Sequence, residues 1–141
     1  MSDPRPAHPR LFTVEEADAL LPQLRVLLRS LKESQARLLA AEAELAERGG
    51  GSARSNGHVH PDGERDRLRQ TVTEAQEQLT HAVRGIAELG CELKDPERGM
   101  IDFRTMREGR VVYFCWLMDE PRVLFWHELD AGFRGRQPLS E

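Results

Sequence analysis

The residues best suited to chemistry lie near the end of the sequence. His127, Glu128 and Asp130 follow an apolar stretch, and Arg134 and Arg136 come next in a glycine-containing segment. Imidazole nitrogens and carboxylate oxygens are good ligands for zinc, iron or manganese, which makes a divalent transition metal the possible cofactor. We therefore predict a metal site at His127, Glu128 and Asp130, within a ligand-binding site made of all five residues.

The geometry of a strand limits this metal site. Neighbouring side chains of a β-strand point to opposite faces, so His127 and Glu128 cannot both face one ion in a regular strand. Asp102 and Cys91 are expected to supply further ligands if the sheet brings them near.

The two arginines suggest an anion site, because flanking glycines let backbone N–H groups converge and guanidinium groups bind phosphate or carboxylate in a bidentate way. The Lys-Ser/Thr pair of a P-loop is missing. The structural alternative is an internal cluster that holds the tail. In that cluster, His127 hydrogen-bonds a carboxylate. Glu128 pairs with Arg134 or Arg136.

The remaining candidates favour structural roles. Cys91 and Cys115 do not form a C-x-x-C motif, and Cys115 lies between two aromatic residues, as expected of a buried and inert thiol. His58 and His60 lie in a glycine-rich segment without carboxylate or cysteine neighbours at ligand spacing, which is typical of a solvated loop.

Composition excludes several function classes. The chain has 141 residues, a net charge of −4 and a pI near 5.8, which argues against a broad nucleic-acid-binding face. A weaker third hypothesis is a local basic patch, made of Arg104, Arg107, Arg110, Arg134 and Arg136. No apolar run approaches a membrane span, and the proline-rich lead over residues 1–11, expected to be disordered, has no signal-peptide core. We expect a cytoplasmic protein.

Two long helices are predicted to position this C-terminal cluster. Thr13 and Glu16 fit a capping box, and Pro22 is expected to kink or split the first helix. Apolar residues then recur by alternating threes and fours, at Ala17, Leu20, Leu24, Leu27, Leu31, Ser34, Leu38, Ala41 and Leu45, and again at Leu68, Val72, Ala75, Leu79, Ala82, Ile86 and Leu89. The pattern predicts an antiparallel coiled-coil hairpin over residues 12–90, with a flexible loop at 49–63.

After Gly90 the apolar period changes to two. Residues 100–103, 111–117 and 123–128 are predicted strands of a small antiparallel sheet within 91–141, which ends in a C-terminal turn. The fold class is therefore α+β, with residues 12–141 as a single domain. The strands look apolar on both faces, so the second face should be covered by the tail or by another subunit.

Several segments resemble a bacterial family of small uncharacterised proteins, a domain of unknown function. These segments are residues 12–17, Gly90 with Cys91, Lys94 with Asp95, 101–103, 113–116, and 126–133 continuing through Gln137 and Pro138. The resemblance covers roughly residues 11–139, with a C-terminal WHELDAGF…GRQP-type motif. It implies a free-standing bacterial cytosolic protein and no catalytic or binding residues.

Two function hypotheses follow. The leading one is a non-enzymatic accessory module that self-associates as a homo-oligomer and meets a protein partner through the hairpin. The alternative is a small metal- or anion-binding protein, or a metal-dependent enzyme, that uses the C-terminal cluster.

Overall fold

A computed structural model describes residues 10–51 and 62–139. Helix α1 at Val14–Gly51 and helix α2 at Asp62–Glu88 pack together, which confirms the helical hairpin. Positions 1–9 of the predicted lead and positions 52–61 of the predicted loop lie outside the described residues. The two ends of the predicted loop, 49–51 and 62–63, are helical. Neither described helix has a stretch long and apolar enough to cross a membrane.

The start of α1 follows the sequence signals. The Thr13 N–H donates to Glu16 Oε1 at 2.9 Å, and the Glu16 N–H donates to Thr13 Oγ1 at 3.0 Å, so the capping box forms. Residue Phe12 is buried just before the cap. The helix runs through Pro22 as one element, so of the two expected effects of this proline, a kink or a split, the split does not occur.

The chain divides into two compact units, which are described separately. The first unit holds residues 10–28 and 83–139, which include the first part of α1, the end of α2 and the whole sheet. Its buried helix positions include Leu21, Leu24, Leu28 and Ile86. Leu21 and Leu28 lie beside the predicted three-four positions and are buried too, so the apolar surface of α1 is wider than that pattern alone.

The second unit, residues 29–82, is the rest of the hairpin. Leu31, Ala41 and Ala75 are buried, and Ser34 is 1% exposed with its Oγ hydrogen-bonded to the Ser30 carbonyl. These positions confirm the three-four spacing, whereas the neighbouring Leu39 is exposed.

Five antiparallel strands follow the hairpin and pair in sequence order: β1 at Glu92–Asp95, β2 at Met100–Arg107, β3 at Arg110–Leu117, β4 at Phe125–His127 and β5 at Gln137–Pro138. A two-residue loop joins β2 to β3. Glu108 and Gly109 both have positive φ, at 53° and 82°, as a type I′ hairpin turn requires. Strand β2 extends four residues beyond its prediction, and β1 and β5 were not predicted.

The sheet has two chemically different faces. Side chains of opposite residues in the strand register share a face, and successive residues alternate between faces. We call one the apolar face; it carries Ile101, Phe103, Val112, Phe114, Trp116 and Trp126. We call the other the polar face; it carries Glu92, Asp102, Arg104, Tyr113, Cys115 and His127.

Side chains near the start of α1 contact the apolar face. The ring of Phe12 meets the ring of Phe103 edge-on, with centroids 5.2 Å apart, and the Arg25 guanidinium lies 5.3 Å from the Trp116 ring. Phe103 and Trp116 are both fully buried. The apolar face is therefore the core of this unit.

Contacts from the C-terminal segment reach the polar face. Arg136 lies 4.1 Å from the Phe125 ring and donates to the Cys115 carbonyl at 3.2 Å. Phe133, in a short 3-10 helix at Phe133–Gly135, lies 4.4 Å from the Arg98 guanidinium in the β1–β2 turn. The sequence predicts that either the tail or another subunit covers the second face of the sheet, and the structure shows the tail in contact with that face.

Candidate metal site

Strand register builds the candidate site from three adjacent strands. Asp102 of β2 lies opposite Cys115 of β3, and His127 of β4 lies opposite Tyr113, two residues before Cys115 on the same face. A carboxylate oxygen, the Cys115 Sγ and an imidazole nitrogen come within 4.8 Å of one another. All three side chains are buried, with exposures of 0%, 0% and 1%. This trio is made of residue types that can hold a metal ion.

Hydrogen bonds fix the ring of His127. Its Nδ1 lies 2.6 Å from the Glu128 carbonyl oxygen, and its Nε2 lies 2.9 Å from Asp102 Oδ2. A carbonyl oxygen only accepts, so Nδ1 carries a proton. The lone pair of an unprotonated Nε2 would then face a carboxylate oxygen. The contact between these two atoms therefore requires a proton held between them or a metal ion bound to both.

The Asp102 carboxylate is only partly satisfied. Its Oδ2 meets His127 and lies 3.4 Å from the Lys94 ammonium. Its Oδ1 is buried and has no hydrogen-bond partner within the described residues. Buried carboxylate oxygens are costly to leave without a partner, so Oδ1 is a donor atom available to a ligand.

The Cys115 thiol is not an activated nucleophile. Burial, followed by the negative charge of Asp102, raises the pKa of Cys115 to about 12, so the thiol stays protonated at neutral pH. Reactive cysteines need a lowered pKa and solvent access. Cysteine–histidine nucleophilic catalysis is therefore not what this arrangement supports, whereas a metal ion could displace the thiol proton.

A half-exposed network surrounds the three donors. Glu92 accepts from the Tyr113 hydroxyl at 2.9 Å and from Arg104 Nε at 3.0 Å. The Lys94 ammonium lies 4.0 Å from the Tyr113 ring centroid. Burial lowers the pKa of Lys94, but Asp102, Tyr113 and Glu92 together raise it by more. The pKa of Lys94 therefore lies above its usual value. Lys94 therefore remains a cation beside the donors.

The tail is tied down next to this network. Arg136 forms an ion pair with Glu120 at 2.7 Å, in which both side chains are mostly buried. Glu120 Oε1 also accepts from the Leu117 N–H at 2.9 Å. These contacts hold the C-terminal segment against the end of β3.

The predicted site residues separate in space. His127 belongs to the trio. Glu128 instead accepts hydrogen bonds from Nε and Nη2 of Arg110, a residue whose register places it on the apolar face. This agrees with the alternation argument. Asp130 and Arg134 are exposed, and neither makes a hydrogen bond or ion pair with another described residue.

The alternative of an internal cluster is confirmed for His127, which hydrogen-bonds a carboxylate. It is wrong for Glu128, whose partner is Arg110 and neither of the arginines at 134 and 136. The predicted anion cradle does not assemble either, because Arg136 turns inward to Glu120.

The other basic residues do not form one patch. Arg107 lies 4.6 Å from the Trp126 ring on the apolar face, whereas Arg104 pairs with Glu92 on the polar face. Cys91 donates to the Ile86 carbonyl at the end of α2 and is not among the three donors. His58 and His60 lie outside the described residues.

Sequence reasoning missed Cys115 as a donor and made Asp102 conditional. The missing information was register, since only the pairing of β2 with β3 places these two residues opposite each other. A usable signal was present in β3, where Tyr113 and Cys115 alternate with purely apolar residues.

The chain belongs to the uncharacterised conserved protein family DUF2203, whose model matches residues 10–139. Comparison with curated proteins finds no match, and comparison with solved structures finds none either. The family description names no activity, so a function has to be argued from the geometry above.

Proposed function

We propose that this family member is a metal-binding protein that holds one divalent transition metal ion, of the zinc class, through Asp102, Cys115 and His127. The observation that carries the proposal is the convergence of three different donor atoms within 4.8 Å in a fully buried place. A carboxylate, a thiolate and an imidazole are all good zinc ligands.

The required rearrangement is small. Zinc lies about 2.0–2.3 Å from nitrogen, oxygen and sulfur ligands, so donors around one tetrahedral ion are roughly 3–4 Å apart. The Nε2–Oδ2 distance of 2.9 Å is already close to that range. The proposal requires small movements of the donor side chains, since the three donor atoms already lie within 4.8 Å of one another.

Two features of the surroundings support the proposal. Ligating histidines usually donate their second ring N–H to a carbonyl or carboxylate, which is what His127 Nδ1 does with the Glu128 carbonyl. The unpartnered Oδ1 of Asp102 offers an alternative oxygen ligand. An ion bound by His127 and by one carboxylate oxygen of Asp102 would take the place of the proton between these two side chains.

Three protein ligands leave a fourth position free. Structural zinc sites are usually closed by four protein ligands, whereas sites that bind or activate a small molecule keep one position open. The proposed role is thus a metal centre that presents an open position, and this favours a ligand-binding or metal-dependent function over a purely structural one.

Elemental analysis of protein purified without added metal, and again after zinc loading and removal of excess, tests the proposal. We expect about one equivalent in the loaded wild type. Cys115→Ser and His127→Ala should each lose most of it. Cys91→Ser is the matched control, because it removes the other buried cysteine and should keep the metal. A wild type that takes up no metal would overturn the proposal.

The other expectations from sequence stay predictions. These are a cytoplasmic location, self-association and a protein partner for the hairpin. Sedimentation at micromolar concentration tests self-association; a homogeneous monomer would contradict it.

A further inference from the structure

We infer that the open position of the metal takes up a small monoanion from solvent, and that Lys94 binds this anion. The inference rests on the proposed metal site and adds the class of its ligand. It comes from the position of Lys94, a cation that lies beside the three donors and is not one of them.

Lys94 occupies the solvent side of the site. The three donors are almost completely buried, whereas the Lys94 side chain is 33% exposed and its ammonium lies 3.4 Å from Asp102 Oδ2. The same side chain therefore contacts a metal donor and is partly exposed to solvent. A ligand that enters from solvent along this side meets Lys94 first.

The charges around the loaded site favour one negative charge. A divalent ion is neutralised by the Asp102 carboxylate and the Cys115 thiolate, and the Arg104 guanidinium is paired with Glu92 at 3.0 Å. Lys94 is then the one uncompensated charge in this group. A monoanion on the metal would balance it, whereas a dianion would leave an excess negative charge beside Glu92.

Metal binding also frees Lys94 for this task. In the metal-free protein the Lys94 ammonium compensates the negative charge of Asp102. When Asp102 binds a divalent ion, the ion compensates that charge instead. The Tyr113 ring, 4.0 Å away, and Glu92 Oε1, 3.6 Å away, still hold the ammonium in place. An ammonium has three N–H donors, enough to keep Glu92 and bind an anion as well.

The test uses the cobalt-loaded protein, because cobalt(II) replaces zinc and gives an absorption spectrum that reports its ligands. A thiolate-to-cobalt charge-transfer band first shows that Cys115 binds the ion. The protein is then titrated with azide, a monoanion, and separately with imidazole, a neutral donor that binds the metal without needing a cation. Shifts of the visible bands give the two dissociation constants.

Three variants isolate the charge. Lys94→Met keeps the length of the side chain, Lys94→Arg keeps its charge, and Lys32→Met removes the only other lysine of the chain, which is exposed on α1. We expect Lys94→Met to bind azide about tenfold more weakly, as for loss of one charged hydrogen bond, with unchanged imidazole affinity. Lys94→Arg should recover most of the azide affinity, and Lys32→Met should match the wild type.

The outcomes separate the two proposals. If cobalt binds with the thiolate band but azide binds equally well to wild type and Lys94→Met, the metal site stands and the role of Lys94 is wrong. Equal losses of azide and imidazole affinity would mean that Lys94 only shapes the site, which also overturns the inference. If cobalt is not taken up, the proposed function fails and the inference falls with it.

Discussion

The two faces of the five-stranded sheet are built from the same strands but follow different physical rules. The apolar face buries Phe103, Val112 and Trp116 completely and gains free energy in proportion to the area removed from water. The polar face buries Asp102 and His127 just as completely, although burying charged or polar groups costs free energy unless they are paired. The apolar face explains why the sheet is stable. The polar face calls for a functional explanation.

Strand β3 shows how one segment serves both faces. Val112, Phe114 and Trp116 point to the core, and Tyr113 and Cys115 point to the polar face. Every one of these five residues counts as hydrophobic in a composition summary. The two faces of β3 therefore differ in functional groups and not in hydropathy, because the hydroxyl of Tyr113 and the thiol of Cys115 lie on one face only. An average of hydropathy along the strand does not detect this difference.

The largest expected effect comes from the apolar face. Trp116→Ala should lower the free energy of unfolding by about 3–5 kcal/mol, because it leaves a large cavity and removes the hydrogen bond from the indole to the Glu120 carbonyl. Urea denaturation measures this loss. Leu39→Ala, at an exposed position of α1, is the control and should change stability by no more than about 0.5 kcal/mol. Similar effects of the two variants would contradict this assignment of the core.

A second pair of variants separates the effect of the buried Asp102–His127 pair on stability from its role in metal binding. His127→Ala should destabilise the metal-free protein by about 3 kcal/mol, since it leaves Asp102 buried without its closest partner. The double variant Asp102→Leu, His127→Leu should recover most of that loss, because a buried ion pair is often no more stable than apolar residues in its place.

The same double variant should bind no zinc, as measured by elemental analysis. Recovered stability with lost metal would show that the polar face is retained for binding. If the double variant were less stable than the single one, the pair would instead be part of what stabilises the sheet.

The third prediction concerns protons. Zinc binding at neutral pH should release about two protons, one from Cys115, whose pKa is raised to about 12 by burial, and one from between His127 and Asp102. Zinc affinity should therefore fall as the pH is lowered. Calorimetry in buffers of different ionisation enthalpy counts the protons. Release of none would mean that the ion binds elsewhere.

The smallest effect is on stability in alkali. Burial raises the pKa of both Cys91 and Cys115 from about 9 to about 12. Between these values the unfolded chain loses thiol protons that the folded chain keeps, so the unfolded state binds fewer protons and stability falls as the pH rises. Below about pH 9 this contribution to stability is fully present.

Denaturation of the metal-free protein at several pH values above 9 measures the slope. Cys115→Ser and Cys91→Ser should each reduce it, and a slope that neither variant changes would assign the alkaline loss to other groups.

Much of the fold could be predicted because its signals are local. The capping box at Thr13, the three-four spacing of α1 and α2 and the apolar run of β3 each depend on neighbours within a few residues. Strand β1 was missed because Glu92, Lys94 and Asp95 make it look like a charged loop. Glu92 and Lys94 in fact meet partners on the polar face, and Asp95 pairs with Arg98 in the turn that follows.

The candidate site was predicted less well because it depends on register. His127 was identified from its chemical type, and strand alternation correctly separated it from Glu128. Asp102 and Cys115 are 13 positions apart, and nothing in their immediate surroundings shows that they face each other. Pairing across strands is decided by the turn at Glu108 and Gly109 and by the core, which act at a distance from the site.

The strictly sequential order of the strands has a kinetic consequence. Each strand pairs with the next one along the chain, so the sheet is rich in local contacts, and proteins with local contacts fold faster than those that must close long loops. The three donors lie between positions 102 and 127, on strands β2, β3 and β4, which two consecutive loops connect. They come together when two short loops close, at a small cost in chain entropy. By contrast, the hydrogen bond from the Val123 N–H to Asp18 joins residues 105 positions apart. During folding, the donors can therefore assemble before the first helix docks, and an ion present at that stage would act as a nucleus for the sheet.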